Sequence, residues 1–438
     1  MSVRSSRRWA ALPAAALLAL TVTSCSGDDP EPEEETAGSS AAPAAPATVP
    51  LEAEGLPEGA AVGVVVSLAS AGDSGAQWNE AAEGAEVAAY RLGLGGTPVD
   101  VVAADDRGTI DGAAQAVRDL ADQGVAGIVV ASSGPHVSGA VDAAVETGVP
   151  LLMPYAPNPS LPDGAPVWLT GPSQTTITDE LTRAIGAAGV SKPVLVDAGG
   201  GELPTLAPAA QRALAVTAPV SAADRLSTEI ARLADAAEVD SVVVTGPAAR
   251  QAVMVRALQG SAVSLPVFLS PDALSPVLAR DLVEADGSLS SEMVTVGEEA
   301  SDVAALSPGA TGESLSAYFA AVRAAAADPA VEDFFDGEPF ATIAGSADTR
   351  SHDAVVALAR AAAAAGSTEP GAVADALGGL RLGRGDGLTG SGLDFTSQRA
   401  LPADQVVALQ ATSQDPGVRP VSGSAPAPRL FWFAVPRG

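Results

Sequence analysis

Residues 101–134 read VVAADDRGTIDGAAQAVRDLADQGVAGIVVASSG, and this run contains one complete unit of the fold. It begins in a short apolar segment, Val99–Ala103, and ends in another, Gly127–Ala131. Between them Ala113, Val117, Leu120 and Ala121 recur at the spacing of one helical face. Gly124 stands where a helix end calls for a positive φ, which costs glycine nothing. The two apolar segments lack the polar alternation of a half-solvated strand, so both of their faces are expected to be covered. A strand, a helix and a second strand with these properties make a right-handed crossover between parallel strands of one sheet.

The pattern repeats outward in both directions. Strands are expected at Val62–Ser67, Val99–Ala103, Gly127–Ala131 and Val149–Met153, and then at Pro193–Val196, Ser241–Thr245, Val267–Ser270 and Met293–Val296. Helix ends are expected at Gly93, Gly124, Gly148 and Gly260, and Ser221 with Asp224 is expected to start the helix that runs to Ala237. A break at Leu169-Thr170-Gly171-Pro172 precedes a helix over about 174–188 and a second series of strand–helix units, which implies two lobes. Further helices are expected at Ser314–Ala327, Ser351–Ala365 and Ala372–Leu377. The fold class is therefore α/β, each lobe a doubly wound, mainly parallel sheet. In such sheets ligands bind outside the carboxyl ends of the strands. The 438 residues, 47% of them hydrophobic, suffice for two lobes, and with only 3% aromatic residues the core must rest on small aliphatic side chains.

The amino terminus reads as an export signal. Arg4, Arg7 and Arg8 precede an apolar run from Trp9 to Val22, which is short for a membrane span, and Val22-Thr23-Ser24-Cys25 resembles a bacterial lipobox. Residues 1–24 are then a signal peptide, and Cys25, the only cysteine, is lipidated and anchors the protein to the outer face of the cell membrane. Ser6-Arg7-Arg8-Trp9 partly resembles a twin-arginine signal, and the export route stays open between that and the general one. Loss of residues 1–24 removes three arginines and no acid, taking the net charge from −30 to −33. Residues 25–60, rich in acids, proline, alanine and serine, read as a disordered tether. The strong negative charge with no basic stripe argues against nucleic acid as a partner.

The segments VGVVVSLASAG (62–72), 101–134, GVPLLMPYAPNPSL (148–161), VDSVVVTGPAARQAVMVRAL (239–258), LPVFLSPDAL (265–274) and SHDAVVALARAAAAAGSTEPGAVADALGGL (351–380) together resemble the type I periplasmic binding proteins. The likeness is to the branched-chain amino-acid-binding branch that serves ABC transporters, and it covers about residues 60–410. The resemblance implies a two-lobed Venus flytrap in which residues 61–170 with 299–400 form lobe 1 and 171–298 with 401–438 form lobe 2. It implies ligand contacts from Ser70, Trp78, Ser132, Ser133, Tyr155 and Ala156 in the first lobe, with Asp272 of the second taking an ammonium group. The chain departs from that pattern at Pro157, which replaces a threonine and offers neither hydroxyl nor backbone N–H. A second departure is the loop Asp197-Ala198-Gly199-Gly200-Gly201, which lacks the family's aromatic contact. The resemblance further implies a small polar, amino-acid-like solute and an ABC permease partner. The same fold with a drifted pocket, sensing a ligand or binding an envelope partner, is the alternative.

Enzymatic chemistry finds little support. The two histidines, His136 and His352, have no metal-ligand spacing, and no thiol remains once Cys25 is lipidated. Ser133 and His136 could be drawn into a Ser/His/acid arrangement, but no Gly-x-Ser-x-Gly elbow accompanies them. Asp105 and Asp106 read as loop acids, and Arg384-Gly385-Asp386 as part of a Gly-rich turn. No cofactor is expected.

Overall fold

The computed structural model describes residues 48–68, 75–157, 159–199, 206–215, 217–262, 264–290, 292–335, 337–420 and 427–435. The export signal, Cys25 and Ser70 lie outside the described residues.

The opening unit folds as the strand, helix and strand its pattern predicts, except that its first strand, expected to be covered on both faces, is a half-exposed edge of the sheet. Strands β1 (Ala61–Val66), β2 (Asp100–Asp105), β3 (Ile128–Val130), β4 (Leu151–Met153) and β5 (Val167–Leu169) form one sheet in the order β2-β1-β3-β4-β5, every pair parallel. Side chains alternate across it. Val62, Val64, Val66, Val129 and Leu152 face the core shared with helices Gly84–Leu94 and Thr349–Ala365. Val65, Ile128, Val130, Leu151 and Met153 face the core shared with helices Ile110–Asp122 and Ser138–Thr147. Leu120, fully buried from the predicted stripe, comes so near the sheet that a Cβ at Gly63 would lie 2.8 Å from its Cδ1. Burying such a leucine contributes about 1.5–3 kcal/mol.

The second sheet comprises β6 (Pro193–Asp197), β7 (Ala210–Ala213), β8 (Ser241–Thr245), β9 (Val267–Leu269), β10 (Met293–Glu298), β13 (Val406–Thr412) and β14 (Phe431–Ala434). Its order is β14-β13-β10-β9-β8-β6-β7, parallel except for the two edge pairings made by β13. Helices Pro219–Asp235, Ala248–Gln259 and Pro276–Glu284 cover one face, and Ile177, Leu181 and Ile185 of helix Gln174–Ala187 cover the other. A two-stranded ribbon, β11 (Arg381–Leu382) with β12 (Leu393–Asp394), lies between the two stretches of chain that build this sheet. The architecture is thus α/β with two lobes, each a sheet dominated by parallel pairs.

Several local expectations are corrected. Gly124 and Gly148 do take positive φ at helix ends, but Gly93 lies inside helix Gly84–Leu94, and Gly260 caps its helix with φ −78°. The helix expected to start at Ser221 starts at Pro219, whose fixed φ suits a first helical position, and the Ser221 hydroxyl donates to the carbonyl of Ala218. Residues 48–60, expected to belong to the tether, lie against lobe 1: Leu51 and Ala53 are buried, and the N–H of Leu51 donates to the carbonyl of Arg91. Leu51 is one of the few large apolar side chains in that stretch, and it takes the stretch into the core.

Candidate functional site

The carboxyl ends of β1, β3 and β4 face those of β8 and β9 across a cavity of about 570 Å³. Trp78, Ser133, Tyr155, Ala156 and Asp272 line it, together with Pro157 and Pro247. Five of the seven residues expected at the site are therefore brought together. Ser132 is not among the lining residues. It is fully buried, and its hydroxyl lies 2.8 Å from Ser67 Oγ and 2.8 Å from His136 Nε2.

The first-lobe wall is aromatic and charged. The Trp78 and Tyr155 rings stack at 4.5 Å between centroids, 17° from parallel. The Arg350 guanidinium sits 4.6 Å from the Trp78 centroid and 4.4 Å from that of Tyr155, a cation–π arrangement. The indole N–H of Trp78 donates to Ser133 Oγ at 3.2 Å. The Tyr155 hydroxyl donates to Asp348 Oδ1 at 2.7 Å and meets Ser351 Oγ at 2.6 Å. Asp348 also caps helix Thr349–Ala365 by accepting from the Ser351 N–H, and its Oδ2 accepts from Arg350 Nε at 3.0 Å. One carboxylate thus orients the helix start, the tyrosine and the arginine. Burial works against the Arg350 charge, but Asp348, Tyr155 and Glu298 outweigh it and raise its pKa.

The second-lobe wall centres on Asp272. Burial pushes its carboxyl above the usual range, against hydrogen bonds that favour the charged form. Gln77 Nε2 donates to Oδ1 at 2.5 Å and Ser270 Oγ to Oδ2 at 3.1 Å. The other amide atom of Gln77, Oε1, accepts from the N–H of Ala248 at 2.8 Å, at the start of helix Ala248–Gln259. Ser275 Oγ donates to the Gln77 carbonyl at 2.6 Å, and Arg280 pairs with Glu80 at 2.8 Å. Gln77 is 3% exposed, so a first-lobe side chain is wedged into the second lobe. Gln251 Nε2 supports the wall from behind, donating to Ser270 Oγ at 2.8 Å and to the Gly246 carbonyl.

Sequence reasoning missed Gln77, Arg350, Asp348 and Ser270. Gln77 adjoins Trp78, and Arg350 immediately precedes the segment starting at Ser351 that carries the family likeness, so position gave a signal for both.

Neither histidine is set up for catalysis. His136 Nε2 faces Asp106 Oδ2 at 3.0 Å, Ser132 Oγ at 2.8 Å and Ser67 Oγ at 3.3 Å. Acid and hydroxyls share one ring nitrogen, whereas a relay needs them on opposite ones. His352 is fully buried; Arg91 donates to its Nε2 at 3.0 Å while its Nδ1 bonds Asp353 at 2.7 Å. Burial lowers its pKa, and the guanidinium donor fixes the neutral tautomer with the proton on Nδ1. Asp353 accepts further from the N–H and hydroxyl of Thr389 and the N–H of Gly390, tying down the Gly-rich turn. Among the described residues no three His, Cys, Asp or Glu side chains converge as a metal site, and no helix is long and apolar enough to cross a membrane.

A family model described as periplasmic binding protein matches residues 60–415. No curated protein sequence matches the chain. Among solved structures, the branched-chain amino acid transporter substrate binding protein LivJ of Streptococcus pneumoniae, in complex with isoleucine, is 16% identical with a TM-score of 0.59, over 81% of this chain and 96% of that one. An ABC transporter substrate-binding protein of Desulfitobacterium hafniense, in complex with Leu, is 16% identical with a TM-score of 0.56, over 82% and 98%. The leucine binding protein LivK of Thermotoga maritima is 16% identical with a TM-score of 0.53, over 81% and 96%.

Proposed function

The chain belongs to the periplasmic binding protein family, whose members bind solutes and are not enzymes, and from that premise we propose that it is an extracytoplasmic receptor for a small polar, amino-acid-like solute. The solute enters the cleft between the lobes, touches Trp78, Ser133, Tyr155 and Ala156 on one side and Asp272 on the other, and favours the closed form by its differential affinity for it. The loaded protein is then presented to an ABC permease. Lipidated Cys25 holds it at the outer face of the membrane.

The observation that carries this reading is the 570 Å³ cavity walled by both lobes, with a half-buried charged group on each wall and an aromatic stack on one. A cavity of this size suits a molecule as small as an amino acid. The isoleucine and leucine in the related structures add support for the class of solute.

The test is a thermal-shift screen of the full chain in mild detergent against amino acids, amides, carboxylates and sugars. A solute that binds only the native state stabilises it by about 2.7 kcal/mol at a hundredfold excess over Kd. A hit whose labelled form is taken up by cells, with uptake lost on deleting the gene, supports the reading. A folded protein that answers to no solute ends it.

A further inference from the structure

The two charged groups of the cleft are used unequally by the protein itself. Both oxygens of Asp272 are bonded within the protein, Oδ1 to Gln77 and Oδ2 to Ser270. Gln77 is locked in turn by Ala248 and Ser275. Arg350 is the reverse case. Its Nε is engaged by Asp348, but among the described residues neither terminal nitrogen has a hydrogen-bond partner. The guanidinium lines the cavity and lies against the Trp78–Tyr155 stack.

A guanidinium keeps its proton at any physiological pH, and its planar fork matches a carboxylate with two parallel N–H···O bonds. Pro157 on the same wall can donate nothing to an anion. Much of the remaining lining is apolar, with Val137, Ile177, Leu181 and Pro172 suited to a hydrocarbon body.

We propose that the group this cleft recognises is a carboxylate held by the terminal nitrogens of Arg350, that its solutes are small carboxylic acids with an apolar body, and that an amino group on them is dispensable because each oxygen of Asp272 already has a donor from the protein, in Gln77 and Ser270. This rests on the solute-receptor reading above and narrows it. Asp272 then serves as the anchor of the interlobe amide, and Arg350 sets specificity.

The experiment is calorimetric titration of the full chain with matched sets of probes: leucine, 2-hydroxy-4-methylpentanoate, 4-methylpentanoate and leucinamide, with parallel sets built on shorter and aromatic acids, and simple sugars. In whichever set binds, the acid without an amino group is expected within about tenfold of the amino acid, and the amide at least about a hundredfold weaker. Arg350→Gln is expected to weaken every acid by about a hundredfold, with Arg350→Lys intermediate because an ammonium keeps the charge and loses the fork. If Arg350→Gln does not fold, the acid-to-amide comparison on the unaltered protein decides. Leucinamide binding as tightly as leucine, or an acid that needs its amino group, overturns the proposal. So does a sugar or amine that binds regardless of Arg350→Gln, although that outcome leaves solute capture standing. A folded protein that binds nothing removes both readings.

Discussion

Nε2 of Gln77 lies 2.5 Å from Oδ1 of Asp272, a contact that closes 195 residues of chain and joins one lobe to the other. The same side chain takes the first free N–H of helix Ala248–Gln259, so two polar groups of the second lobe depend on one residue of the first. Gln77 therefore acts as a clasp, and its strength is set by what the two groups lose when it goes.

Replacing it tests the clasp. In Gln77→Ala the Ala248 N–H and Asp272 each lose a partner, and an unsatisfied buried group costs about 1–3 kcal/mol. Opening the lobes lets water repay that cost. The variant is thus expected to be folded but wider, with a larger radius of gyration by small-angle scattering and a lower melting temperature. An unchanged scattering profile would mean that the clasp does not hold the lobes.

Trp78 should report binding. Its indole is stacked on Tyr155 and Arg350 at the cavity wall, whereas Trp168 donates to the Phe395 carbonyl and Trp432 lies in the edge strand β14. Of these three tryptophans, a solute reaching the wall changes the polarity and hydrogen bonding of Trp78 alone. Its tryptophan emission change is expected to vanish in Trp78→Phe while calorimetry still registers binding. A signal that survives in Trp78→Phe would place the solute elsewhere.

The fold was legible wherever the physics was periodic. Strands buried on both faces, such as Val62–Val66 and Val242–Val244, announce themselves as unbroken apolar runs, and the Ala113/Val117/Leu120 stripe announces its helix. The strands missed were β5, three buried residues too short to stand out as a run and ending where the break between lobes was expected, the two-residue β11 and β12, β7, with exposed side chains alternating with half-buried ones, and the antiparallel β13 and β14 at an edge. The cavity wall was legible in the first lobe because its loops follow the strands directly. For Gln77 and Arg350 the sequence offered only their places beside Trp78 and Ser351, since their roles come from pairing across 171 to 195 residues and from stacking, neither of which leaves a pattern of residue types. Ser132 shows the converse. Position put it beside the ligand, but its hydroxyl turns into the His136 cluster.

Two glycines of one helix are expected to respond oppositely. A Cβ at Gly84 would stand 1.9 Å from the carbonyl oxygen of Asp348, the residue that orients Arg350. Gly84→Ala must push the two helices apart, costing about 1–3 kcal/mol and weakening solute binding as well. A Cβ at Gly93 meets nothing within 4 Å, and φ there is not positive. Gly93→Ala is expected to stabilise by about 0.5–1 kcal/mol with binding unchanged. Urea unfolding and titration of both variants check the pair, and equal effects would refute the helix contact.

The last expectation concerns pH. Glu83 is fully buried, Oε1 accepting from the Phe334 N–H at 3.3 Å and Oε2 having no hydrogen-bond partner among the described residues. Burial first, then Glu86 and Asp333, push its carboxyl up to about 9 from an ordinary 4.5, with the Phe334 N–H opposing. Between those two values the folded protein holds a proton that the unfolded chain has released. Stability must then fall as pH rises through that window, with a limiting slope of about 1.4 kcal/mol per pH unit. Glu83→Gln keeps the shape and removes the titration. Glu86 sits beside it, pushed up to about 7 chiefly by burial, but it remains in both proteins and so largely cancels from their difference. The overall acidity of the chain cancels in the same way. Measured by urea unfolding, the advantage of Glu83→Gln over the unaltered protein is expected to be small at about pH 5 and to grow by roughly 2–4 kcal/mol at about pH 8. A difference that stays constant between the two would mean that Glu83 is ionised in the folded protein and that its burial is relieved by water.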